Sequence, residues 1–134
     1  TDYDLIVKVI DVYPDTHNPA GYRELVVEMA GYQQLVRAEI FRAKYRNSFE
    51  NPEAILPKKI ERISFDLNDI SHAFLPGHRI MIQIQSSWFP LYDRNPQKFM
   101  NIYQADEDDF LPARIQIYRS SDYPSHIRFG QNKN

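Results

Sequence analysis

Asp4–Val12 reads DLIVKVIDV, and the reading of this stretch decides the fold class. It is β-branched and mostly apolar, and Tyr13-Pro14-Asp15 closes it. Such a run between turn residues predicts a strand buried on both faces for part of its length. Outward along the chain, Arg79–Trp88 (RIMIQIQSSW) sets Ile80, Ile82 and Ile84 against Met81, Gln83 and Gln85. Ile60–Leu67 (IERISFDL) sets Ile63, Phe65 and Leu67 against Arg62, Ser64 and Asp66. Alternation of period two predicts half-exposed antiparallel strands.

The remaining segments fill in an all-β outline. Phe110–Arg119 contains a strand at RIQIY, and Ser125–Phe129 offers a last one. Arg23–Met29 is a short apolar run after the loop Asp15–Gly21. Tyr32–Tyr45 mixes helix formers with the alternation of Val36, Ala38 and Ile40, and is read as a strand that follows a short helical turn. Asn68–His78 reads as a turn or short helical loop, and Phe89–Phe99 as a long loop. Nine prolines punctuate the chain, and proline inside a helix costs about 3 kcal/mol, so long helices have little room. Short strands with Pro/Asn/Asp turns and no alternation of strand and helix predict a β-sandwich.

The 134 residues suit one domain, and a chain of this length buries roughly two-thirds of its unfolded surface without a disulfide or metal. The formal charge of −2 gives no electrostatic footprint for nucleic acid or an anionic membrane. With no cysteine, there is no disulfide framework, no Cys-based zinc site and no thiol nucleophile. No stretch approaches the ~20 apolar residues of a membrane span.

The residue types that carry chemistry are sparse. Ser71-His72 and Ser125-His126 place serine beside histidine, but neighbours in sequence point apart, and the G-x-S-x-G elbow is absent. His72 and His78 flank a Pro-Gly turn, and the simpler reading is that their rings hydrogen-bond loop backbone. Asp2-x-Asp4 supplies two carboxylates where a calcium ion uses 6–8 oxygens, so no metal or other cofactor is expected. Asp106–Asp109 is the one acidic run and reads as a solvated loop. The aromatic loop Trp88-Phe89-Pro90-Leu91-Tyr92, followed by Asp93-Arg94-Asn95, has the composition of an interface anchor, or of a sugar platform.

Taken together, DLIVKVIDVYPD, QLVRAEIFRAKYRNS and DISHAFLPGHRIMIQIQSSWFPLYDRNPQ resemble the C-terminal domain of the X-Pro dipeptidyl-peptidase family, which includes cocaine-esterase-like hydrolases. Gly31–Arg37 and Ser86–Pro90 are most similar to α-amino-acid ester hydrolases and glutaryl-7-aminocephalosporanic acid acylases. The resemblance implies a jelly-roll β-sandwich of the galactose-binding-like type, joined in the parent to an α/β-hydrolase domain that holds the whole Ser-His-Asp triad. No catalytic residue therefore carries over to this chain. The expected role is a non-catalytic accessory domain that packs on the hydrolase domain and shapes access to its active site. Trp88, Phe89, Tyr92, Arg94 and Arg79 are the candidate interface residues.

An independent carbohydrate-binding sandwich using Trp88 and Tyr92 is the alternative, and an oligomerisation module the third reading. The compartment stays open between periplasmic or secreted and cytoplasmic. Residues 1–134 are expected to be a single jelly-roll domain lacking a first strand, which would leave a sheet edge open to self-association. Where the family has Pro-Gly, this chain has Pro57-Lys58, so a type I turn is expected there. Arg128–Asn134 is more polar than the apolar strand that closes the family's domain.

Overall fold

The computed structural model describes residues 1–16 and 29–130. Among these residues the fold is all-β, with no α-helix and three short 3-10 turns at Ala43–Tyr45, Ile102–Gln104 and Glu107–Asp109. Strand β1 is Asp4–Val12, β2 is Gln33–Arg42 and β3 is Arg79–Gln85. They form an antiparallel sheet in the order β2-β1-β3.

The sequence of β1 explains its central place. Both its edges are hydrogen-bonded, and Ile6, Val7, Val9, Ile10 and Val12 are all buried, Ile6 completely. Residues opposite one another share a face. Val7, Val9 and Asp11 thus lie with Ile84, Ile82 and Ile80, whereas Ile6, Lys8 and Ile10 lie with Gln85, Gln83 and Met81. On the β2 side the register slips between Val9 and Ile10, whose partners are Arg37 and Leu35, so Val36 is an extra residue in β2. Such a bulge bends the strand and increases its twist.

Each face of the sheet is covered in part, and Ile80, Ile82 and Ile84 of β3 stay exposed on the Val9 face. Over the Val9 face runs the chain that follows Ile60. Phe65 stacks on Phe41 of β2 at 5.0 Å, and Asn68 donates to Glu39 at 3.1 Å. Ile63, Phe65 and Leu67 are half-buried while Arg62, Ser64 and Asp66 are exposed, so the alternation read in Ile60–Leu67 is present. The ladder is not. This segment lies over the face of β2 rather than at a sheet edge, and its backbone pairs with no described strand. Over the Ile6 face folds the loop after β3, with Lys8 Nζ 3.8 Å from the Trp88 ring centre.

Other expectations shift at their ends. In Tyr32–Tyr45 the order is reversed, since the strand comes first and the 3-10 turn follows it. β3 stops at Gln85, short of Trp88, where Gln85 Nε2 turns to donate to the Ser87 carbonyl. Phe110–Arg119 and Ser125–Phe129 form no ladder. Arg119 and Pro124 make an isolated bridge, and the Ser125 N–H donates to the Tyr118 carbonyl at 3.3 Å. The run Arg23–Met29, except for Met29, lies outside the described residues, as do His17 and most of the loop before that run.

Two Pro-led turns make an instructive pair. In Leu75-Pro76-Gly77-His78 the His78 N–H donates to Leu75 O, and Gly77 takes φ +84°. In Leu56-Pro57-Lys58-Lys59 the Lys59 N–H donates to Leu56 O, and Lys58 takes φ +67°. A positive φ at the third residue excludes the expected type I turn and belongs to type II. Lysine accepts the strained conformation because proline fixes the preceding φ and the closing hydrogen bond selects the turn.

A left-handed non-glycine residue costs ~1–2 kcal/mol, partly offset by the greater chain entropy glycine loses on folding, so Lys58→Gly should stabilise the fold by ~0.5–1 kcal/mol in urea unfolding. A destabilised variant would show that Lys58 is held by something other than its turn. Ile6→Ala, at the fully buried centre, should lower stability by ~2–5 kcal/mol in the same assay.

Candidate functional site

The polar chemistry of this chain is concentrated on its central strand. Asp2, Asp4 and Asp11 are each at most 2% exposed, and a buried carboxylate persists only if it is paired and hydrogen-bonded. Asp4 accepts from Arg42 through Nε at 2.8 Å and Nη2 at 3.1 Å, a bidentate pair that raises the Arg42 pKa. Asp2 accepts the Lys44 N–H at 3.0 Å, and Lys44 Nζ lies 3.8 Å away. The Asn95 side-chain amide joins the two, donating to Asp2 at 3.1 Å and to Asp4 at 2.8 Å. Its oxygen accepts the Gln97 N–H at 2.8 Å. Two carboxylates thus meet two cations and one amide. The set is a neutralised ion-pair network, not an oxygen cage for calcium.

Burial raises the Asp2 pKa, and its hydrogen bonds from Asn95 and Lys44 offset that only in part. Asp11 shows the opposite balance. Burial pushes its pKa up, but hydrogen bonds from His72 and His78, with their charge, outweigh it and hold it below the ordinary value. The distances are 2.9 Å to His72 Nε2 and 2.8 Å to His78 Nδ1. Tyr13 packs on the His78 ring at 4.4 Å and Phe74 meets His72 edge-on at 4.9 Å. The two histidines therefore bind a buried carboxylate rather than loop backbone. The signal was available in the sequence, because an aspartate inside an apolar strand needs partners.

None of this is a nucleophilic site. Among the described residues Ser71 and Ser125 make no hydrogen bond to a histidine, and His126 Nδ1 lies 3.2 Å from the Pro124 carbonyl oxygen. No group of three potential metal ligands is present among these residues, and no helix is long and apolar enough to cross a membrane. The acidic run ends in a surface pair, Lys98 Nζ to Asp109 at 2.6 Å, which lowers the Asp109 pKa.

The five candidate interface residues divide in two. Trp88, Phe89, Tyr92 and Arg94 share the loop after β3, which contains a cis Phe89–Pro90 peptide and closes through the Tyr92 N–H to Trp88 O at 3.1 Å. Phe89 is 64% exposed and its neighbour Leu91 62%. Trp88 is half-buried against Lys8 and Tyr92, and the Arg94 guanidinium sits 4.7 Å above Phe110. Arg79 stands at the other end of β3, six residues and about 20 Å away along the strand. Tyr92 and Asp93 also border a hollow of about 340 Å³ beside the end of β2, lined further by Arg42, Tyr45, Phe49 and Tyr103. Phe49 and Tyr103 lie far from the loop in sequence, so no local pattern groups them with it.

Residues 1–128 match the family described as the X-Pro dipeptidyl-peptidase C-terminal non-catalytic domain. The chain belongs to this family. The X-Pro dipeptidyl-peptidase C-terminal domain described here is 34% identical over 126 residues to cocaine esterase of Rhodococcus sp. (strain MB1 Bresler), covering 94% of this chain and 19% of the relative. It also resembles two solved structures. One is an aminopeptidase from a marine sediment archaeon, Thaumarchaeota archaeon, with TM-score 0.71 and 47% identity over 82% of this chain and 17% of that one. The other is an α-amino acid ester hydrolase, with TM-score 0.73 and 42% identity over 83% of this chain and 17% of that one. The chain therefore spans less than a fifth of the proteins it resembles, all of them hydrolases by name.

Asn95→Leu should lower stability by ~2–3 kcal/mol in chemical denaturation, because it leaves two buried carboxylates short of a donor. A neutral result would mean that Arg42 and Lys44 alone satisfy them. The depressed Asp11 pKa makes its contribution present above the ordinary value of 3.8 and lost as pH falls through the lower folded value. Asp2 has the reverse sign, its contribution being present below 3.8 and lost as pH rises through its own raised value. Asp11→Asn should consequently lower stability at neutral pH and flatten the acid limb of a pH–stability curve below about pH 4. An unchanged acid limb would remove Asp11 from the account.

Proposed function

We propose that this domain packs against the α/β-hydrolase catalytic domain of a longer serine hydrolase and walls the approach to its active site. The supporting observation is the exposed apolar loop. Phe89 and Leu91 lie open to solvent, with exposed Phe49 and Tyr103 at the hollow that Tyr92 borders. Apolar patches of this kind mark interaction surfaces. The internal contacts of Trp88 and Arg94 brace the loop's base, so that its tip is presented by a fixed support. The parent reaction in this reading is cleavage of an amide or ester bond, as the names of the similar proteins suggest.

The carbohydrate reading has less support. Lys8 already occupies one face of the Trp88 ring.

On the accessory reading the purified chain turns over neither an X-Pro p-nitroanilide nor a phenylglycine ester. In the longer enzyme, Phe89→Asp with Leu91→Asp should lower kcat/KM about tenfold or more, since small misplacements of a pocket wall carry costs of that order. Turnover by the chain alone, or a double variant with unchanged activity and melting temperature, would overturn the reading.

A further inference from the structure

The charges lining the hollow beside β2, and that of the buried Lys44 next to it, are matched, with one exception. Arg42 is held by both oxygens of Asp4. Lys44 Nζ, 5.4 Å from the Tyr45 ring centre, donates to the Met100 carbonyl at 2.8 Å and lies near Asp2. Asp93 is exposed and has no hydrogen bond or ion pair among the described residues. Around it stand Tyr45, Phe49, Tyr92 and Tyr103, with the Tyr45 and Phe49 rings stacked at 5.7 Å. Ring faces are electron-rich, so four aromatic rings and one uncompensated carboxylate favour a cation. The domain already uses this chemistry within itself, at Lys8 on Trp88 and Arg94 on Phe110.

We propose that the hollow receives an arginine or lysine side chain from the catalytic portion of the longer enzyme, its charge against Asp93 and its stem among the rings. This rests on the accessory reading above. It is supported by the charge of the site, by the continuity of Tyr92 and Asp93 with the exposed loop, and by relatives more than four-fifths of whose length lies outside this domain. A cavity of about 340 Å³ has room for one such side chain.

Two measurements test it. In the first, the labelled chain is titrated with N-ethylguanidinium chloride and followed by NMR, with sodium chloride and a methyl galactoside as controls. Saturating shifts are expected at Tyr45, Phe49, Tyr92, Asp93 and Tyr103, with binding about fivefold weaker in Asp93→Asn and retained in Asp93→Glu. In the second, Asp93→Asn is melted in the chain and in the longer enzyme. The chain should be unchanged and the longer enzyme lowered by ~2–4 °C. Absence of saturation, or binding of the galactoside instead, overturns the cation site. Saturation in the chain with no effect of Asp93→Asn in the longer enzyme overturns the side-chain occupant. Failure of the accessory reading is distinguishable, because it shows in Phe89→Asp with Leu91→Asp, which leaves Asp93 in place.

Discussion

Three carboxylates buried at one strand, Asp2 and Asp4 at its start and Asp11 near its end, impose the constraint on which the rest of this domain is built. A carboxylate out of water must find partners or take up a proton, and these find their partners on distant parts of the chain. Asp4 takes Arg42 at the end of β2, Asp2 takes Lys44 in the turn beyond, and both take Asn95 from the long loop after β3. Asp11 takes His72 and His78 from the segment that leads into β3. Hydrophobic burial of β1 brings these segments close without fixing their positions. The ion pairs supply direction, and removing one partner strands a buried charge, a loss of several kcal/mol on the scale of known buried pairs (~3–5 kcal/mol).

That division explains what the sequence made legible. The apolar register of Asp4–Val12 announced a doubly buried strand, and the strand is there with the boundaries read from it. Ile60–Leu67 shows the limit of such reading. Its alternation reported burial correctly, but burial against a sheet face and pairing at a sheet edge leave the same pattern of side chains. Lys58 fails for a different reason. Residue type predicts the turn only when local preference exceeds the restraint from the surrounding chain, and Pro57 with the Leu56–Lys59 bond exceeds it here.

The candidate site was legible in part. The aromatic loop was recognisable because Trp88, Phe89 and Tyr92 fall within five residues, whereas Arg79 joined the list through the family resemblance and stands at the far end of β3. Tyr45, Phe49 and Tyr103 come to line one hollow with Asp93 through tertiary folding alone. Two residues within the segments that carry the family resemblance gain a structural role. Arg46 donates to the Glu53 and Ala54 carbonyls, and Asn95 bridges two carboxylates, so both hold loops in place. Family membership and the non-catalytic class follow from the chain as a whole, and these residues hold the domain's loops together.

The position of Asn95 has an engineering consequence. The loop that carries Phe89, Leu91 and Tyr92 leaves the sheet at Gln85 and is fastened again at the buried Asn95, one root in the β1–β3 ladder and the other in the carboxylate network. Residues 86–94 are thereby a cassette between fixed sockets. Exchanging the tip of that cassette can alter the surface the domain presents while the carboxylate network below keeps its geometry, so the character of that surface and the stability of the fold can be tuned separately.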